Sequence, residues 1–255
     1  MKDKKKTLLD WWKWIWHDES WQAWLASVLV AFILIKYVLY PGVGLLFGTS
    51  LPVVAVVSGS MEHQPQNGML CGTSADENTQ WWDACGEWYQ ERGITQEDFS
   101  QFAFSNGFNK GDIMVVVGVD PPNLEVGDVI VYQANKQYPL IHRVVAIHEE
   151  NNQLRFETKG DHNPRQIVEY ALTDGTYLYA CYQEQAGTIV AAPCTAGQPV
   201  TSEVPGAIAV LDETHIHPDQ IIGRATTRLP WAGYVKIWFV DFLEWIGLSR
   251  VAQIF

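Results

Sequence analysis

The apolar and polar positions divide the chain into one long apolar segment near the N-terminus and a series of short β-type runs after it. The apolar segment, residues 24–46, reads WLASVLVAFILIKYVLYPGVGLL and has Lys36 as its only charge. A helix of this length crosses a hydrocarbon layer of about 30 Å, and a lysine near a helix end extends its amine to the interface. The pattern predicts a transmembrane anchor, with a buried helix of a soluble core as the alternative.

Runs rich in Val and Ile then alternate with Gly, Asp and Pro turn signals. Helical patterns between the runs are few, which favours antiparallel pairing of neighbouring strands. We therefore expect residues 47–232 to form a mainly β domain, an antiparallel β sandwich or barrel. The predicted strands cover residues 52–57, 112–119, 128–133, 142–149, 154–160 and 206–211.

Residues 64–108 interrupt this rhythm and predict a helical insertion. The segment is acidic and rich in tryptophan, and Thr95 stands where a helix N-cap would fit. Because the insertion directly follows a Ser-Gly-Ser turn, we expect it to form a lid or a docking surface near that turn. Residues 233–255 mix bulky apolar and charged positions and are expected to lie along a membrane surface.

The distribution of charge predicts the orientation of the chain in the membrane, and the net charge excludes one class of partner. The net charge of -12 would repel a nucleic acid. Lysines crowd the start of the segment 1–23, which places that segment in the cytoplasm and the β domain on the extracytoplasmic side of the cell membrane. The tryptophans of the same segment suit a lipid interface, with packing against a partner protein as the alternative.

The cysteines and histidines suggest disulfides rather than a metal site. Cys71 with Cys85, and Cys181 with Cys194, could each close a local loop outside the cytosol, and free buried thiols are the equal alternative. His215 and His217 would share one face of a strand, but no set of cysteines or carboxylates accompanies them. We expect no metal.

Three residues are candidates for nucleophilic catalysis. Ser60 ends a strand in a small-residue turn, but a serine hydroxyl needs a neighbouring base to become a good nucleophile. His142 could accept that proton at neutral pH. Asp161 could hold the imidazole in the correct tautomer. Taken singly, each also fits an ordinary structural role in a turn or at a strand end.

Five short motifs, in order, resemble the conserved boxes of signal peptidase I. The bacterial type of that family has a lysine base where this chain has His142, whereas the archaeal and endoplasmic-reticulum type has a histidine, so the chain is similar to the latter. The resemblance implies that Ser60 is the nucleophile and His142 the general base, and Asp161 matches the first aspartate of the family's Gly-Asp-Asn-Asn-like box, whereas a second aspartate of that family is often assigned as the third member of the triad. The motifs are PVVAVVSGSMEH at 52–63, GDI at 111–113, GDVIVY at 127–132, IHRVV at 141–145 and KGDHNP at 159–164.

One departure leaves the acid open. The histidine type has a second aspartate about six residues after the first, and here that position is Ile167. Asp161 could serve, Glu169 could reach in from a shifted register, or the site could be a Ser-His dyad. The resemblance also implies that the Ser60 N–H and the Ser58 hydroxyl stabilise the oxyanion, with turn capping as the alternative role of Ser58.

The resemblance implies a membrane-bound endopeptidase without a cofactor that removes signal peptides after small residues. Its expected partners are the signal peptides of precursor proteins, the lipid bilayer and, as a further candidate, the protein translocation channel. An extended peptide would add as a strand along residues 52–57. The alternative is a catalytically inactive relative that binds peptides or a translocation partner, and a membrane-tethered structural ectodomain ranks last.

Overall fold

The apolar segment and the β runs form separate compact units, Met1–Pro52 and Val53–Phe255, in the computed structural model. The structure describes residues 7–150, 152–172, 177–185, 188–195, 198–199, 207–234, 238 and 245. Most of the predicted C-terminal surface segment, 233–255, therefore lies outside the described residues.

The N-terminal unit is helical. Helix α1 (Leu8–His17) precedes α2 (Trp21–Leu34), which continues through a π-helical turn (Ile35–Leu39) into α3 (Tyr40–Phe47). Together Trp21–Phe47 form a helix long and apolar enough to cross a membrane. The Ser20 side chain accepts a hydrogen bond from Ala23 N–H at its start, and Gly48 ends it with a left-handed φ of 65°. The predicted helix is confirmed and extends slightly beyond both predicted ends.

The second unit is mainly antiparallel sheet, as predicted. The first sheet has the strand order β1-β4-β13-β5-β6-β7 and the second has β11-β10-β9-β8-β12. The strands are β1 (Val53–Ala55), β2 (Met69–Leu70), β3 (Thr73–Ser74), β4 (Ile113–Val117), β5 (Val129–Tyr132), β6 (Leu140–Glu150), β7 (Gln153–Lys159), β8 (Val168–Leu172), β9 (Tyr177–Gln185), β10 (Thr188–Thr195), β11 (Gln198–Pro199), β12 (Ala207–Asp212) and β13 (Ile221–Leu229).

All six predicted strands are present, but they make up only part of the two sheets. Strand β5 is an unbroken apolar run because it is buried on both faces. Val129 and Val131 pack into one core cluster, whereas Ile130 and Tyr132 pack into another. The strands β2, β3, β8 to β11 and β13 were not predicted.

Strand β6 directs consecutive side chains to opposite faces of the first sheet. His142 pairs with Ile130 of β5, and Arg143 pairs with Val129. Because paired residues share a face, His142 points toward the cluster that contains Ile130, and Arg143 points to the other face. The two faces therefore present different chemistry at adjacent positions.

The insertion, residues 64–108, contains helices α4 (Trp81–Gln90) and α5 (Gln96–Gln101). Thr95 caps α5 in a capping box with Asp98, as its sequence position predicts. A disulfide joins Cys71 to Cys85 and closes the N-terminal part of the insertion onto α4. The aromatic rings of the insertion form a cluster that packs against Val145 of β6. The cluster comprises Trp81, Trp82, Trp88, Tyr89, Phe99 and Phe102, with Ile94.

Candidate functional site

Ser60 lies in the turn after β1, and its hydroxyl meets the ring of His142. The distance from Ser60 Oγ to His142 Nε2 is 2.9 Å. His142 is buried in β6, while Ser60 is half-buried and open to a surface groove. The fold thus brings together two predicted residues that are 82 positions apart.

The other ring nitrogen of His142, Nδ1, bonds the carboxylate of Glu213 at Oε1. Glu213 follows β12 and is fully buried. A carboxylate can only accept hydrogen bonds, so Nδ1 must donate the proton. That tautomer leaves Nε2 unprotonated and able to accept a proton from the Ser60 hydroxyl.

Glu213 occupies the space beside the backbone of residue 167, where the resemblance would place an aspartate. The Ile167 N–H donates to Glu213 Oε2 at 2.5 Å, and the Glu213 N–H donates to the Ile167 carbonyl at 3.0 Å. The Thr158 N–H donates to the Glu213 carbonyl at 2.8 Å. These bonds fix the Glu213 carboxylate beside Nδ1 of His142. Sequence reasoning missed Glu213, which has no motif and whose only signal is that it is the second of two acids after a predicted strand.

Asp161 lies on the other side of β6 and pairs with Arg143, not with the His142 ring as expected. Arg143 Nη2 and Nε approach its two carboxylate oxygens at 2.7 and 2.9 Å. His63 Nε2 donates to Oδ2 at 2.9 Å, and Tyr89 Oη donates to Oδ1 at 3.0 Å. The physical reason is the alternation of β6: Arg143 must face away from His142, and its buried charge requires a carboxylate there.

Burial and charge act in opposite directions on the ionisable groups of this cluster. Burial alone would raise the pKa of Asp161, but the Arg143 charge and the bonds from Arg143 and His63 hold that pKa well below its usual range. Burial lowers the pKa of Lys159 to about 8, although Asp161 and Glu213 attract its charge. Burial and the nearby Asp161 raise the pKa of Tyr89. Asp161 is therefore a fixed anion at neutral pH.

The two remaining predicted residues have different surroundings. Ser58 Oγ lies 3.2 Å from Ser60 Oγ, within hydrogen-bond distance of that hydroxyl. Glu169 forms an ion pair with Lys136 at 2.7 Å on the wall of the groove. The contact that the shifted-register hypothesis requires, between Glu169 and His142, is made instead by Glu213.

A groove of about 440 Å³ leads to Ser60. Strand β1 forms one wall, and because β1 is the outermost strand of its sheet, its free edge can pair with an extended peptide. The segment before β6 forms the opposite wall. The groove is lined by Val54, Ala55, Val56, Val57, Ser58, Ser60, residues 135–142, Glu169 and Val210.

The predicted disulfide between Cys71 and Cys85 is confirmed. The side chains of Cys181 and Cys194 lie outside the described residues, so their predicted bond stays a prediction. His215 is exposed and contacts Thr214 and Asp212. In the part of the chain that the structure describes, no group of three or more His, Cys, Asp or Glu residues could hold a metal ion.

Comparison with known proteins finds partial similarity to one kind of enzyme subunit, and no protein-family model matches. The signal peptidase complex catalytic subunit of Plasmodium falciparum is 36% identical over 59 residues, which is 22% of this chain and 31% of that protein. Its Homo sapiens counterpart is 31% identical over 58 residues, 22% of this chain and 30% of that protein. The Komagataella phaffii subunit is 27% identical over 150 residues, 56% of this chain and 57% of that protein.

Each match spans less than two thirds of the relative's own length. The fold, mainly antiparallel sheet with an N-terminal apolar helix, is consistent with a signal peptidase-like β fold. Over part of its length, the chain is therefore similar to the catalytic subunits of signal peptidase complexes.

Proposed function

We propose that this protein is a membrane-bound serine endopeptidase that removes signal peptides from precursor proteins by the histidine-type mechanism. The observation that supports it best is the position of His142, with one ring nitrogen on Ser60 Oγ and the other on the buried carboxylate of Glu213. A nucleophile, a base and an acid that orients the base are the three groups of a serine triad for acyl transfer.

In the proposed first step, His142 Nε2 takes the proton of Ser60 as Oγ attacks the carbonyl carbon of the scissile peptide bond. The carbonyl oxygen becomes an oxyanion, for which the Ser60 N–H and the Ser58 hydroxyl are the proposed donors. The tetrahedral intermediate collapses by breaking the C–N bond, and His142 gives its proton to the leaving amine. Water, deprotonated by His142, then hydrolyses the acyl enzyme, and Glu213 stabilises each imidazolium that forms.

The proposed substrate is an extended peptide with small side chains before the scissile bond, paired to the free edge of β1. Residues 24–46 would anchor the enzyme in the same bilayer as its substrate, which raises their effective concentration. Residues 1–23 would lie on the cytoplasmic side, and the domain from 47 to 232 on the extracytoplasmic side. The lipid bilayer, signal peptides and a protein translocation channel are the proposed partners.

The direct test is cleavage of a secretory precursor by the full chain in detergent, with the new N-terminus identified by mass spectrometry. Ser60→Ala is the negative control. A mature chain that begins after a small residue, absent with Ser60→Ala, is the expected result. Binding of the precursor without any cleavage would instead favour the inactive-relative hypothesis.

Gly160→Ala is expected to lower kcat about a hundredfold, the cost of a misplacement near 1 Å. A Cβ at residue 160 would lie 2.6 Å from Asn163 Nδ2, 2.8 Å from the Ser60 carbonyl oxygen and 3.0 Å from His142 Nε2, so the turn must shift relative to the nucleophile and the base. Gly42→Ala is the comparison variant, since a Cβ there meets nothing within 4 Å and the residue lies in a helix without a left-handed φ. Steady-state cleavage kinetics would measure the effect, and an unchanged kcat in Gly160→Ala would contradict the close packing of this turn against His142.

A further inference from the structure

The insertion, residues 64–108, lies against the buried Arg143–Asp161 pair rather than over the groove. None of the described residues that line the groove belongs to the insertion. Its contacts are instead with Asp161 through Tyr89 and with Arg143 through two backbone carbonyls. The described residues of the insertion therefore do not form the lid or docking surface that we expected near the groove.

The insertion completes the surroundings of both buried charges. Arg143 Nη1 donates to the Ala103 carbonyl at 2.7 Å, and Nη2 donates to the Phe104 carbonyl at 3.0 Å. The Phe99 ring lies 4.8 Å from the guanidinium carbon. Arg143 and Asp161 are both fully buried. A buried ion pair is stable only when its remaining donors and acceptors are satisfied, and here the insertion satisfies several of them.

Two side chains outside the sheets donate directly to Asp161. Tyr89 of α4 is fully buried and donates to Oδ1 at 3.0 Å. His63, directly before the insertion, donates from Nε2 to Oδ2 at 2.9 Å, and its ring stacks on Trp81 at a centroid distance of 4.0 Å. The Asp161 carboxylate is thus fixed from three directions, by Arg143, Tyr89 and His63.

The 160–162 turn, which contains Asp161, is hydrogen-bonded to the segment that carries the nucleophile. The His162 N–H donates to the Ser60 carbonyl at 2.8 Å, and His162 Nδ1 lies 3.1 Å from the Glu62 carbonyl oxygen. Gly160 packs against both Ser60 and His142. A displacement of Asp161 would therefore move the segment that sets the distance between Ser60 Oγ and His142 Nε2.

We infer that Tyr89 and His63 are positioning residues for the proposed reaction, and that the disulfide-closed insertion serves to hold the 160–162 turn beneath Ser60 and His142. This inference rests on the proposed function. It assigns to the insertion a role in kcat and not in binding of the peptide, since the insertion lies outside the groove. Substrate affinity should therefore be insensitive to the same changes that slow the chemical step.

Tyr89→Phe removes one hydroxyl and keeps the ring, so it is the sharpest test. We expect kcat for precursor cleavage to fall about tenfold with KM within about twofold, which corresponds to loss of one charge-assisted hydrogen bond. Amide hydrogen exchange of peptides that cover residues 160–163 should accelerate about tenfold. Tyr37→Phe is the matched control, because it also removes one hydroxyl, from an exposed tyrosine of the helical unit; it should leave both readouts near wild type.

His63 offers a second, independent pair of variants. His63→Ala should lower kcat as Tyr89→Phe does, and His63→Gln should restore most of the loss, because a glutamine amide can place a donor near the position of Nε2. The inference is overturned if Tyr89→Phe and His63→Ala keep wild-type kcat and exchange while Ser60→Ala is inactive. If wild type itself does not cleave, the proposed function fails, and the exchange measurement alone then decides whether Tyr89 holds the turn.

Discussion

Replacing Glu213 by glutamine is expected to lower kcat by about three to four orders of magnitude, with little change in the fold. The Ile167 N–H needs an acceptor, and it lies 2.5 Å from Glu213 Oε2. A glutamine amide would keep its oxygen there and turn its NH₂ group toward His142 Nδ1. That donor forces the imidazole into the tautomer with the proton on Nε2, which cannot accept the Ser60 proton. The measurement is single-turnover cleavage of a precursor, with circular dichroism to confirm folding.

Glu169→Gln is the matched control for this result. Glu169 is the acid that a shifted register would use, and its described ion pair is with Lys136 at the groove wall. We expect Glu169→Gln to alter kcat by less than about threefold, the scale of an exposed ion pair. A large loss in Glu169→Gln with none in Glu213→Gln would reverse the assignment. Near wild-type rates in both variants, with His142→Ala inactive, would indicate a Ser-His dyad.

Local patterns predicted six of the strands and two of the three residues of the candidate site, Ser60 and His142. The run at 128–133 and the run at 142–149 are both apolar enough to be buried strands, and the structure pairs them as β5 and β6. Ser60 and His142 stand at strand ends within recognisable motifs, so their meeting could be expected from the resemblance. Each of these predictions depends on residues that are close together in the sequence, so it can be made before the fold is known.

Glu213 could not be predicted in the same way, because its role depends on a long-range return of the chain. Ile167 and Glu213 are hydrogen-bonded to each other, but strands β8 to β12 separate them along the chain. The period-two alternation of β6 was an available signal for Asp161. It directs Arg143 to the face of the sheet away from His142, and because a buried arginine needs a carboxylate partner, an acid on that face is expected to pair with Arg143.

Asp161→Asn is expected to lower the free energy of unfolding by about 3–5 kcal/mol, because it leaves the Arg143 guanidinium buried without its counterion. Both side chains of the pair are fully buried, and the amide would have to oppose the donors of His63 and Tyr89 as well. Urea denaturation of the full chain in detergent, followed by circular dichroism, would measure the loss. Asp120→Asn is the control, since Asp120 is exposed, and it should change stability by less than about 0.5 kcal/mol.

The pH dependence separates a charge effect from a packing effect at Asp161. The folded-state pKa is lowered, so the folded protein binds fewer protons than the unfolded chain at acidic pH. The carboxylate therefore contributes its full stability above the unfolded value of about 4, and this contribution is lost as pH falls through the folded pKa. The difference in unfolding free energy between wild type and Asp161→Asn should be constant from about pH 5 to pH 7 and shrink below about pH 4. A difference that stayed the same at every pH would mean that shape, and not the charge paired with Arg143, is what stabilises this turn.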